Sequence, residues 1–199
     1  MEVKLAVEGT LDEAVARKIL AMFGLVVGPV HGKRGKHYID NNLTGFNNAA
    51  RFEPWLVIRD LNSDCECAPN LVRARLPNPS SCMVFRLAVR EVESWLMADA
   101  VELAKYLRIR YALIPKDTDN LARPKEELIR LSNRSSSRKV KEGMVPRPGS
   151  GASEGPLYTT LMAEFVRNSW SPASAACVSE SLDGCIKRVQ VLARQISCL

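Results

Sequence analysis

Histidine is scarce in this chain: His31 and His37 are the only two in 199 residues. Cysteine is commoner, with six, but the tightest pair, Cys65 and Cys67 in CEC, lacks the two well-spaced ligand pairs of a zinc ribbon. No apolar run approaches the length of a bilayer-spanning helix, and no leader of the secretory kind precedes MEVKLAVEGT. The expectation is therefore a cytoplasmic protein with free thiols and no membrane partner. Both glycine fingerprints of phosphate binding are missing. No G-x-G-x-x-G follows the first apolar stretch, which weakens a dinucleotide-binding reading, and HGKRGKH (31–37) has no hydroxyl after Lys36 and its glycines stand too close for a P-loop. Acids are outnumbered, 22 Asp+Glu against 28 Lys+Arg, for a net charge of +6 and a pI near 9.1. That excess mildly favours a polyanionic partner, although solubility alone accounts for it equally well.

What remains is an average globular composition, 46% hydrophobic and 25% charged, in a chain long enough for one domain and an appendage. The stretch KLAVEGTLDE organises it. A short strand (Leu5, Ala6, Val7) brings Glu8 to its carboxyl end, Gly9 turns the chain, and Thr10 with Glu13 fits the S/T-x-x-E capping box. Leu11, Val15, Ile19 and Met22 then recur at helical spacing up to Gly24, and LVVGPV (25–30) reads as a second strand ending at its Gly-Pro. Ile39, Leu43, Phe46 and Ala50 mark another helix. WLVI after Pro54 is a continuous apolar run, as in a central strand covered on both faces, and it ends at Asp60, followed by Asn62 and Asp64. A short helix spans 68–76. MVFRLAV (83–89) is the next strand, with Glu91 and Glu93 just beyond it, Trp95 as core and Asp99 as a helix N-cap. This alternation through residue 107 predicts an α/β fold with a mostly parallel sheet and helices on both faces.

The composition changes after residue 107. PKEELIRLSNR (124–134) predicts a helix with Pro124 in its first turn, and 135–155 reads as a long basic loop, either a linker or a polyanion-binding arm. The turn at 31–37 carries the same ambiguity between solvated surface and phosphate contact. Two amphipathic helices close the chain, 157–170 with Leu157, Leu161, Phe165 and Val166 on one face, and 181–196. Residues 108–199 are expected to pack on the sheet domain of residues 1–107, or to serve a partner subunit.

Glu8, Asp60, Asp64, Glu91 and Glu93 all follow strands that should be neighbours. Carboxylates gathered in one crevice repel one another unless a cation neutralises them, and hard oxygen donors favour Mg2+ or Mn2+. The reaction class these residues suggest is metal-dependent phosphoryl transfer, set against the alternative that acids scatter by chance through any α/β protein.

VEGTLDEAVARKIL, VIRDLNSD and LAVREVESWLMAD, in that order, resemble the motifs of the Toprim fold, the catalytic module of type IA topoisomerases, bacterial primases and OLD-family nucleases. More closely, the chain resembles small bacterial Toprim-like proteins often found beside AAA-type ATPases in loci read as phage-defence systems, and GPLYTTLMAEFV and SESLDGCIKRV resemble that family's tail. The resemblance implies a Toprim (Rossmann-like), mostly parallel sheet flanked by helices, with a helical C-terminal extension. It implies a Mg2+- or Mn2+-dependent nuclease acting on DNA or RNA, with an AAA-type ATPase partner, and leaves homo-oligomerisation open. By position, Glu8 would be general acid/base or metal ligand, Asp60 the first acid of D-x-D, and Glu91 and Glu93 the late ligands. The second acid falls on Asn62, a departure: an amide oxygen coordinates but adds no charge, and Asp64 would have to substitute. Lys33, Arg34, Lys36, Arg138, Lys139 and Lys141 would hold the backbone phosphates. The alternative is a catalytically degenerate scaffold docking on the ATPase through its C-terminal helices.

Overall fold

A computed structural model describes residues 2–197; Cys198 lies outside them. The first half alternates strand and helix: β1 (Glu2–Val7), α1 (Thr10–Ala21), β2 (Val26–Gly32), α2 (Lys36–Ala49), β3 (Trp55–Asp60), α3 (Ala68–Arg75) and β4 (Met83–Ala88). The four strands form one all-parallel sheet in the order β2-β1-β3-β4. Its apolar residues divide by strand parity, since successive side chains point to opposite faces. Val3, Leu5, Val7, Leu56, Ile58, Val84 and Ala88 join one hydrophobic cluster with α1, while Ala6, Trp55, Val57, Met83, Phe85 and Leu87 join a second with α2. Both faces are thus covered, which is why the strand of residues 55–58 reads as unbroken apolar sequence.

Two local expectations are corrected. Thr10 is not the N-cap of α1: Gly9 is, no side chain caps the helix, and Glu13 pairs with Arg17 and Lys33 instead of closing a capping box. The second strand does not stop at Gly28–Pro29 but runs on to Gly32. The register slips between Val3 and Leu5, a bulge that places Gly28 and Pro29 together opposite Lys4. A proline without an N–H is tolerated there because β2 is an edge strand. Gly32 ends the strand at φ 98°, where an added Cβ would lie 2.1 Å from the Val7 carbonyl oxygen, so this close approach of β1 and β2 requires glycine.

The elements that follow among the described residues are helical: α4 (Val92–Ala98), α5 (Ala100–Leu107), a 3₁₀ turn (Tyr111–Leu113), α6 (Pro124–Asn133), α7 (Arg138–Met144), α8 (Tyr158–Asn168), α9 (Pro172–Ala176) and α10 (Glu180–Ser197). Leu128, Val140, Leu161, Phe165, Leu182 and Val189 extend the cluster built on β1 and α1, so the hydrophobic core is continuous across residue 107. Polar bonds fix the packing. The fully buried Trp95 indole donates to Ser181 Oγ at 2.7 Å, Trp170 Nε1 donates to the Trp95 carbonyl at 3.2 Å, and Asp99 Oδ2 accepts from Ser171 N at 2.8 Å. Asp99 does stand at the N-cap of α5, yet its carboxylate is spent on this long-range bond.

The segment 135–155 is not one long loop, because α7 lies inside it. Val140 and Met144, four apart, bury on the core, and Ser137 Oγ accepts from Val140 N. One buried turn in a run of basic residues leaves too little periodicity to see. Leu157, expected on the buried face of α8, precedes the helix and is 44% exposed. No signal foretold the five-residue α9.

Candidate functional site

In the order β2-β1-β3-β4 the chain first steps from β1 to β2 and then crosses back to β3 on the other side of β1. The strand order therefore reverses between β1 and β3, and open parallel sheets form their ligand crevice at the carboxyl ends of such a pair. Glu8 follows β1 and Asp60 ends β3. Glu8 Oε1 accepts from the Asp60 amide at 3.0 Å, and Asp60 Oδ1 accepts from the Val92 amide, at the start of α4, at 3.0 Å. Two carboxylates thus tie the ends of β1 and β3 to the turn after β4. Glu91 Oε2 accepts from Lys125 N at 2.8 Å, and the buried Glu93 accepts from the Tyr158 hydroxyl at 3.0 Å. The Lys125 amine pairs with Glu154 and lies 5.0 Å from the centre of the Tyr158 ring.

A fifth acid joins them. Asp12, 6% exposed on α1, has its Oδ1 without a hydrogen-bond partner. These groups share one field. Burial holds the Asp60 carboxyl well above the usual range, and the charges of Asp12, Glu93, Glu8 and Glu91 raise it further. Glu8 is pushed up to about 7, mainly by burial, with the Asp60 amide pulling the other way. Burial also raises Glu93, to about 7, and Asp12, to about 6.

Of the residues expected from sequence, Glu8, Asp60, Glu91 and Glu93 meet in this crevice, whereas Asp64 does not. Its Oδ1 binds Lys36 Nζ at 2.7 Å and its Oδ2 binds the Arg59 guanidinium; those two cations hold its carboxyl below the ordinary value, Lys36 contributing most. Asn62 sits in the left-handed region at φ 52°, its amide donating to the Arg90 carbonyl at 2.8 Å and its carbonyl accepting from Arg90 Nη1 at 3.0 Å. Most of the expected phosphate-binding cations are engaged within the chain: Lys33 with Glu13 at 2.5 Å, Lys36 with Asp64, Arg138 with Glu142 at 2.7 Å and Lys139 with Glu164 at 3.5 Å. Arg34 lies 5.5 Å from the Tyr38 ring centre, and Lys141 is exposed. Asp12, Lys125 and Tyr158 were missed. Asp12 had a readable signal, being the third helical residue after a glycine N-cap, where an acid reaches back to free amides. Nothing in the sequence linked Lys125 or Tyr158 to the strand ends.

Among the described residues, no three His, Cys, Asp or Glu side chains stand close enough to enclose one ion. A full protein cage is not what Mg2+ requires, because it keeps several waters and is commonly held by one or two carboxylates plus substrate phosphates. The donors here suit it chemically: hard oxygens, mutual repulsion that favours protons in the absence of a cation, and an unpartnered Asp12 oxygen. Burial of these acids, with their mutual repulsion added, sets a pH dependence. Carboxyls whose folded pKa values are raised bind more protons folded than unfolded, so their contribution to stability is present at about pH 4 and is lost as pH rises through about 7. Glu13 and Asp64, held low by their ion pairs, act in the opposite sense only toward acid. In EDTA, thermal unfolding is therefore expected to occur at lower temperature at pH 8 than at pH 5.5, with the partly exposed Glu8 accounting for on the order of 1 kcal/mol once solvent screening is allowed for. Millimolar Mg2+ should restore part of the loss at pH 8. A melting temperature that stays flat over this range would mean the acids do not repel in the folded state.

These features define an α/β protein with a four-stranded parallel sheet, a helical C-terminal region and a cluster of buried and half-buried acids at the reversal of strand order. The chain matches no protein-family model, no curated protein and no solved structure. Among the described residues, no helix is long and apolar enough to cross a membrane.

Proposed function

We propose that the protein is a Toprim-type nuclease that hydrolyses phosphodiester bonds of DNA or RNA with Mg2+ or Mn2+. The observation that carries this reading is the juxtaposition of Glu8 and Asp60 at the carboxyl ends of β1 and β3, joined by a 3.0 Å hydrogen bond. It agrees with the resemblance of the three acidic motifs. Asp60 and Glu8 would hold the ion, with the charges of Glu91 and Glu93 behind them; its chemistry when bound is to neutralise phosphate charge and make water more acidic. Glu8, titrating at about 7, is suited to exchange a proton with the attacking or leaving oxygen near neutral pH. Lys125, among Glu91, Glu93 and Glu154, keeps a positive charge beside the crevice.

The test is cleavage of circular DNA and of structured RNA in Mg2+, Mn2+ or EDTA. Cleavage with either metal and none in EDTA is expected. The second reading, a degenerate scaffold for an AAA-type ATPase, is favoured by the diversion of Asp64 into ion pairs and by the uncharged Asn62. No cleavage together with no calorimetric Mg2+ binding would select it.

A further inference from the structure

The basic residues that stand out in the sequence are largely paired with acids in the fold. A cationic surface without such pairs lies at the ends of α5 and α6. Arg108, Arg110 and Arg134, with Ile109 and Leu113 between them, line an open depression of about 510 Å³, and no acidic side chain contributes to it. All three arginines are exposed, and among the described residues none has an ion pair or a side-chain hydrogen bond. We propose that this arginine cleft binds the phosphate backbone of a nucleic acid strand.

The cleft is held in shape. Ser135 Oγ donates to the Leu107 carbonyl at 2.5 Å, while Ser136 Oγ and N donate to the Arg108 carbonyl at 3.2 and 3.4 Å. These bonds fasten the turn carrying Arg134 to the end of α5. Arg108 itself adopts the left-handed conformation, φ 51°, at the C-cap where glycine would be easier. A charged side chain is thus kept at a position the backbone would give to glycine.

The simplest alternative is that Arg108 and Arg134, both helix C-caps, only offset helix dipoles. The charges do not balance: two C-termini contribute roughly −1 together, against three full positive charges, leaving about +2. Phosphate suits that surplus, because guanidinium binds phosphate oxygens in a bidentate fork. The location also suits a strand that reaches the acidic crevice. Lys125 and Arg134 lie near opposite ends of α6, about 14 Å apart along a helix rising 1.5 Å per residue, or roughly four base-pair steps of a duplex strand. The assignment to nucleic acid rests on the nuclease reading, which supplies the substrate class.

The experiment is fluorescence anisotropy of a labelled oligothymidylate with the full chain in EDTA over a series of KCl concentrations. Arg108→Gln/Arg110→Gln/Arg134→Gln should weaken binding at least tenfold and flatten the log–log salt slope by about 2, the change for three phosphate contacts on a single strand. A second variant with Arg108→Gly in place of Arg108→Gln should behave alike while easing the backbone, which guards against misfolding. Restoring lysine at all three positions should recover most of the slope. An unchanged affinity and slope in both variants overturns the proposal. So does equally tight, arginine-dependent binding of polyglutamate, which would mark a site for acidic protein. If the wild-type chain binds through these arginines but cleaves nothing with Mg2+ or Mn2+, the nuclease reading fails and the cleft stands. If it cleaves and the variants bind like wild type, the cleft alone fails.

Discussion

Asp60→Asn is expected to produce a protein that is inert and, at pH 8, more stable than the wild type. The two effects have one cause. The Asp60 carboxylate is buried among four other acids, all of which raise its proton affinity. An amide of the same shape retains an oxygen for the Val92 N–H and removes both the desolvated charge and the repulsion. Relief of a strained functional site commonly stabilises by roughly 0.5–2 kcal/mol. Metal-dependent cleavage should meanwhile fall by about 10³-fold, the scale of losing one charged group that acts on the transition state. Glu8→Gln is expected to follow the same pattern, since burial dominates its shift as well. Urea titration and initial rates of cleavage, measured on the same preparations, check both halves. A variant that loses activity because it unfolds would contradict the argument, as would one that cleaves normally.

Arg59→Met is expected to do the reverse and damage the fold. Arg59 is 1% exposed on β3 and sits at the centre of a chain of charges. Its Nη1 donates to the Asp60 carbonyl at 2.7 Å, its Nε stands 2.8 Å from Asp40 Oδ1, and its Nη2 meets both Asp40 and Asp64. Asp64 would keep Lys36, but among the described residues Asp40 would be left with only the exposed Arg75 at 3.7 Å. Removing one member of a buried pair costs about 3–5 kcal/mol, because the remaining charge loses its compensation. In a chain of this length that corresponds to a melting temperature lower by roughly 10 °C. Arg59 also lowers the proton affinity of Glu8, so any activity left should have its pH optimum shifted upward. A loss below about 1 kcal/mol would show that water replaces the guanidinium without penalty.

Arg59 illustrates what could not be read in advance. An arginine between an apolar run and an aspartate looks like the point where a strand leaves the core. In the fold its parity places it on the α2 face, where Asp40 and Asp64 receive it. Asp64 is its counterpart: close in sequence to Asp60 and Asn62, it is expected to belong with them, but the left-handed turn at Asn62 and the pull of Arg59 and Lys36 take it elsewhere. The ion pairs of the candidate phosphate-binding cations were hidden for the same reason. Local charge density does not reveal whether an acid from a distant element, such as Glu164 for Lys139, will neutralise it.

The strand and helix alternation of the first half, the coverage of both sheet faces and the placement of Glu8, Asp60, Glu91 and Glu93 just at or beyond strand ends were determined by the sequence alone. They depend on local periodicity and turn chemistry, which a linear string carries. The strand order β2-β1-β3-β4, the partners of each acid, and the neutral or free state of each cation were decided only by tertiary structure. Those properties arise from contacts between residues far apart in the chain: Tyr158 on Glu93 across 65 positions, Glu8 on Asp60 across 52, and Ser135 on Leu107 across 28. Burial and Coulomb interaction act through space, so the chemistry of the crevice appears only once the sheet has brought its acids together.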